Sequence, residues 1–207
     1  MIKVEHINTF NFGAAIRGMR NPKNSWDKSD SLFDYDKMCL GANDLALMQR
    51  LFKGGSEHRK FMRQIFISMD ITAPFYWWKE FDTYKVGTTA DSCSTMHKLT
   101  AKPFTLDDFS HEHLNDESTD YLLKLIDLLN WNRELFLKDK NKSWWWQMIQ
   151  LLPSSYNQKR TVTMNYENAA SMIRQRSGHK LNEWREFVEA LRQLPHLVDI
   201  CEGDKDE

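Results

Sequence analysis

Cysteine is scarce in this 207-residue chain: Cys39, Cys93 and Cys201 are an odd set, far apart and without a C-x-x-C pair. A disulfide framework and a structural zinc site are therefore not expected, and a reducing cytoplasm suits the composition. No run of eighteen apolar residues occurs, so no transmembrane helix is expected, and the N-terminal MIKVEHINTF lacks the apolar stretch of a signal peptide. Charge of one sign is not in excess either. Lys and Arg number 28 against 29 Asp and Glu, for a net charge of −1, so nothing global points to nucleic acid or an anionic membrane, and any anion must be held by a local cluster. The common catalytic signatures are absent as well: no G-x-G-x-x-G, Walker A, H-E-x-x-H or G-x-S-x-G. The HEH at 111–113 sets two histidines at i and i+2, which diverge on a helix, so it reads as a solvated turn rather than a metal site. The tail EGDKDE reads as a short solvated end.

Aromatic residues are what the chain has in quantity: eight Trp, six Tyr and twelve Phe, with five of the Trp at Trp77–Trp78 and Trp144–Trp146. Rings bury large areas and are enriched at interfaces, so they fill a core, cover a subunit interface or stack on a planar ligand. Residues 2–7 read as a short strand, and a long polar stretch from Asn8 to about Lys37 reads as a loop held on the body by Trp26, Phe33 and Tyr35. The apolar stripe Leu45, Leu47, Met48, Leu51 and Phe52 predicts a helix over 43–53, capped by Asn43 or Asp44 and stopped by Gly54-Gly55. Alternation of Ile65, Ile67, Met69 and Ile71 predicts a strand over 64–71, and Ala73-Pro74 opens a helix carrying Trp77 and Trp78. The run 87–95 reads as a polar loop. Further helices are expected over 116–138, 142–152, 166–176 and 181–193, with a strand at 161–164. Few strands and many helices give an α+β fold with a small mixed sheet, read as one domain over 1–207.

Two strand-then-helix segments stand out, 71–97 and 152–184. In the second, Arg174 and Arg176 are two residues apart and so face different sides of one helix. With these residues in view the chain resembles the flavin-dependent thymidylate synthases, the ThyX family. There a strand enters A-P, a helix follows, and its end carries R-H-R, seven residues, then S-x-R. A later segment runs from L-P through a strand to N-x-R-x-x-x-N, an arginine and a histidine. Counted from Ala73-Pro74, R-H-R falls on Thr83, Tyr84 and Lys85. The family's serine falls on Cys93, its arginine on Thr95, and a preceding glutamine on Glu80. In the later segment Leu152-Pro153 and Asn165 match, Glu167 replaces the arginine, and Ser171 replaces the second asparagine. Arg176 falls on the arginine that grips nucleotide phosphate. His179 lies one place before the family's histidine, and Asn182 takes a glutamine's place. The family's first H-x-S/T-P-x-E-H histidine falls on His58 or on Ser56, depending on the element counted from. The resemblance spans roughly 42–100 and 150–194.

The resemblance implies a ThyX-like fold and a homotetramer with sites between subunits. It implies nucleotide binding by Arg176, Lys85, Ser94, Glu80 and Arg20, and cofactor contacts by His58, Asn165 and Ser171. The implied reaction is methylation of dUMP to dTMP with FAD, NADPH and methylene-tetrahydrofolate. The departures matter physically: of R-H-R only Lys85 keeps a charge, as a point donor rather than a planar fork, and Glu167 sets a carboxylate where the family has a cation. Flavin held in the family's manner is therefore expected to be weak or altered, unless Arg17, Arg20, Arg59, Arg63, Lys159 or Arg160 compensates. Cys93 is a candidate catalytic residue. A thiolate can add to C6 of a uracil ring, and Lys85, if close, would favour the thiolate. Two further readings stay open: a non-catalytic nucleotide-binding or structural homo-oligomer on the same fold, and an interaction protein whose tryptophan-rich faces bind another protein.

Overall fold

In the computed structural model, which describes residues 2–34 and 37–202, the first strand, β1, spans Lys3–Phe10. The polar stretch after it is not a loop. Asn11 takes a left-handed conformation (φ 74°) and turns the chain into helix α1, Phe12–Arg20. Phe12, Ala15, Ile16 and Met19 form its buried face, the i, i+3, i+4, i+7 spacing of an amphipathic helix. Its glycines, read in the sequence as loop residues, serve packing. A Cβ on Gly18 would lie 2.8 Å from Gln64 Oε1, so a larger residue there would displace the end of the Gln64 side chain. Single turns of 3-10 helix at Asn21–Lys23 and Trp26–Lys28 follow, then an antiparallel pair, β2 (Leu32–Asp34) and β3 (Lys37–Cys39). Tyr35 and the tail beyond Glu202 lie outside the described residues.

Helix α2 spans Ala42–Lys53, and its cap differs from the one expected. Asp30, not Asn43 or Asp44, accepts the N–H groups of Asn43 (2.9 Å) and Asp44 (3.1 Å). Asp44 answers by accepting from the Ser29 hydroxyl at 2.8 Å, the Asp30 and Ser31 amides at 3.1 Å each and the Ser31 hydroxyl at 2.7 Å. Its other oxygen lies 2.6 Å from Arg20 Nε. The pair is buried, Arg20 at 3% and Asp44 at 0% exposure. Burial pushes the Asp44 carboxyl up, but hydrogen bonds from Ser31, Ser29 and Arg20 and the Arg20 charge outweigh it and hold the group below its ordinary value.

The 3-10 segment Arg59–Gln64 leads into β4, Phe66–Pro74, and α3, Phe75–Phe81. Pro74 is the N-cap residue, one place before its expected position. The polar run then contains a strand, β5 (Thr89–Ser92), followed by the one-turn helix α4 (Thr95–Lys98). Helices α5 (Asp116–Asp139) and α6 (Lys142–Leu151) begin at Asn115 and Asn141, whose side chains accept from Ser118 N and Ser143 N. β6 (Asn157–Asn165) runs directly into α7 (Tyr166–Arg176), and α8 (Asn182–Arg192) and α9 (Leu197–Cys201) complete the described chain. The larger sheet has the order β1-β4-β6-β5. No helix among the described residues is long and apolar enough to cross a membrane.

The residues group into two compact units. One holds Met1–Lys3, Ile71–Thr83 and Asp91–Thr161. Its α5 and α6 pack around Leu99, Phe104, Phe109, Leu122, Ile126, Leu129 and Met148. Trp77 stacks on Phe81 with centroids 5.1 Å apart and meets Trp78 edge-on at 4.9 Å, so these two tryptophans fill a core. The other unit holds Val4–Asp70, Tyr84–Ala90 and Val162–Glu207. In it α7 packs on α8 and on the Arg59–Gln64 turn, and α2 packs on α9. Tyr166, fully buried, meets Phe12 edge-on at 5.3 Å and donates its hydroxyl to the Pro195 carbonyl at 2.8 Å. Burial pushes that hydroxyl's pKa well up.

Candidate functional site

Asn165 ends β6 and caps α7: its side chain accepts from Asn168 N, and Asn168 reaches back toward the Asn165 amide. The same two asparagines hold the segment 84–90. Asn168 Nδ2 donates to the Val86 carbonyl at 2.9 Å. Gly87, at φ 73°, lies so close that a Cβ there would sit 2.6 Å from Asn165 Nδ2. Both the left-handed backbone and the contact require glycine. This anchoring fixes Tyr84 at the start of the segment.

Tyr84 is the centre of the constellation. Arg176, in the last turn of α7, donates from Nε to the Tyr84 hydroxyl at 2.9 Å, and that hydroxyl donates to Gln175 Oε1 at 2.9 Å. The guanidinium carbon lies 4.7 Å over the Trp184 ring and 5.6 Å from the Tyr84 ring centroid. Trp184 is fully buried in the first turn of α8 and meets Phe187 edge-on at 6.0 Å. His179, between the helices, sits 6.1 Å from Trp184 and accepts from Leu181 N through Nδ1 at 3.2 Å. The result is a guanidinium at a helix C-terminus, set against the Tyr84 hydroxyl and the Trp184 indole face among its contacts. Such a planar cation suits a phosphate.

The other residues singled out in the sequence have these places. Lys85 is exposed beside Tyr84. Arg20 is the last residue of α1 rather than a loop residue, and its Nε and Nη1 are engaged by Asp44 and the Ser25 carbonyl. His58, exposed, precedes the Arg59–Gln64 turn. Ser171 lies on a different side of α7 from Arg176, on the wall of a cavity. Glu167 pairs with Arg63 at 3.1 Å, so the carboxylate in the family's cation position has its own cation. Glu80, Cys93 and Ser94 belong to the other unit. There Ser94 caps α4, accepting from His97 N at 3.2 Å. Cys93 is exposed, its amide donates to the Lys159 carbonyl at 2.9 Å, and its carbonyl accepts from Gln158 Nε2 at 2.8 Å. Arg160 stacks 4.2 Å over Trp78 and pairs with Asp82 at 2.8 Å. The residue missed in the sequence is Trp184 as a cation platform. Its i+3 neighbour Phe187 was a signal for burial, but nothing in spacing ties it to Arg176.

The chain has the fold of the flavin-dependent thymidylate synthases. It is similar over 99% of its length, and 100% of the other chain, to thymidylate synthase X (ThyX) from Helicobacter pylori with FAD and dUMP, with a TM-score of 0.71 and 17% identity. A second structure of ThyX from Helicobacter pylori, also complexed with FAD and dUMP, matches with a TM-score of 0.68 and 16% identity, over 97% of this chain and 98% of that one. No protein-family model and no curated protein matches the sequence.

Proposed function

We propose that the chain is a divergent ThyX relative that binds a pyrimidine nucleotide, dUMP in the simplest case, with Arg176 as the phosphate-binding cation. The observation that carries this is the orientation of Arg176 by Tyr84 and Trp184, at the position that the family resemblance makes the phosphate arginine. The likeness over 99% of the chain to an enzyme described with dUMP supports it. Titration with dUMP tests it: saturable binding supports the reading and its absence contradicts it.

The residues present do not fit FAD held in the family's manner. Thr83 and Tyr84 carry no charge, Tyr84's hydroxyl is engaged by Arg176 and Gln175, and Glu167 offers phosphate a carboxylate held by Arg63. A non-catalytic nucleotide binder on this fold is the second reading, and these same observations favour it. Methylation of dUMP with FAD, NADPH and methylene-tetrahydrofolate follows only if FAD is retained. The purified protein is expected to lack tightly bound flavin and to be nearly colourless. Stoichiometric FAD absorbance would overturn that expectation and restore the enzyme reading.

A homo-oligomer, a tetramer by the family resemblance, is part of the proposal. It is supported by apolar side chains exposed on α5 and α6: Tyr121 at 65%, Trp131 at 61% and Trp146 at 50%. Light scattering is expected to give a mass of several chains; a monomer at micromolar concentration would remove this part.

A further inference from the structure

Arg174 lies two residues before Arg176 and lines a cavity of about 800 Å³. Lys53 at the end of α2, Arg59 and Arg192 line it too, with Glu202 the one acid among the described lining residues. Phe52, Ile173, Leu197 and Val198 supply apolar wall, and Ser171 a hydroxyl. Arg192 is partly neutralised by Glu189 at 3.3 Å and donates to the Ser177 hydroxyl at 3.1 Å. Lys53, Arg59 and Arg174 have no carboxylate in salt-bridge range among the described residues. Arg59 rests its guanidinium 4.6 Å over the Phe52 ring, and its Nε is buried with no hydrogen-bond partner. A buried donor without an acceptor is unfavourable, and like charges gathered on one cavity repel. A bound anion would relieve both.

We propose that this cavity is a second anion site, for a ligand with a phosphate or pyrophosphate head and an apolar body. Four cations on one wall match a multiply charged head, and the aliphatic wall matches an apolar body. The site is built on another side of α7 from Arg176, so the two are separable. Inorganic pyrophosphate is the probe for the head group. At low ionic strength, calorimetry is expected to show saturable binding to the full-length protein that weakens steeply with salt. The Lys53→Gln/Arg174→Gln double variant changes only exposed side chains and is expected to fold normally. It should weaken pyrophosphate binding about tenfold or more, and Arg59→Gln should do the same, whereas Arg176→Lys should leave it unchanged. Absence of binding to the natural sequence would overturn the proposal, as would equal binding by the double variant. Loss of binding in Arg176→Lys alone would assign the anion to the nucleotide site instead, and would leave the nucleotide reading intact.

Discussion

Asp44→Ala is expected to destabilise the folded protein by about 3–5 kcal/mol, the range for removing one member of a buried ion pair. The substitution strands Arg20, 3% exposed, without its carboxylate. It also frees the Ser29 and Ser31 hydroxyls and the amides of Asp30 and Ser31 that close the start of α2. Urea unfolding at neutral pH measures the loss, and a change below about 1 kcal/mol would show that the pair is dispensable. The pH dependence follows from the direction of the shift. The Asp44 carboxyl is held below its ordinary value of 3.8 in the folded state. Its contribution is therefore complete above that value and is lost as pH falls from about 4 through the lower folded value. In Asp44→Ala this acid-dependent part of the stability is absent. Replacing both members by apolar residues, as in Arg20→Met/Asp44→Leu, is expected to be milder than the single change, because no charge is left buried.

The second large effect concerns nucleotide affinity. Arg176→Ala is expected to weaken dUMP by about a hundredfold, since charge-assisted hydrogen bonds contribute about 1.5–3 kcal/mol each. Arg176→Lys keeps the charge but loses the planar fork, the stacking on Trp184 and the Nε bond to Tyr84. It is expected to weaken dUMP about tenfold or more, with a stability loss of about 0.5–2 kcal/mol from the cation–ring contact. Tyr84→Phe separates the two effects. It removes the hydroxyl that holds Nε but keeps the ring, so it should weaken dUMP less than Arg176→Lys does.

Much of the fold was legible because several elements carry their whole signal locally. The α7 range, Tyr166–Arg176, follows from Asn165 as cap and the apolar spacing of Ala169 and Met172. The long helix α5 follows from its leucine stripe. β5 was hidden because every one of its side chains, Thr89–Ser92, is exposed and so no alternation exists. β6 was read short because its first residues, Asn157–Arg160, are polar. α1 was hidden for a different reason: Gly13 and Gly18 depress helix propensity, and what makes Gly18 useful is Gln64, 46 positions away in the chain. The site was legible as letters and not as geometry. Arg176 stood out by resemblance, whereas Tyr84, read as a lost histidine, is the residue that orients it across 92 positions of sequence. No local period carries that information. The tryptophan question divides in the same way: Trp77, Trp78 and Trp184 are buried, while Trp131 and Trp146 are exposed, and composition alone does not sort them.

The proposed role of Arg176 is to serve a bound nucleotide and not only its own helix end. Isothermal titration of dUMP into the natural sequence and into Arg176→Lys tests it most directly. A dipole or packing role tolerates lysine, which keeps a cation in the last turn of α7; a bidentate phosphate contact does not. Saturable dUMP binding that weakens about tenfold or more in Arg176→Lys is the predicted result. Equal affinity in the two proteins, or no binding to either, would contradict it and leave Arg176 as the cation of an aromatic packing cluster.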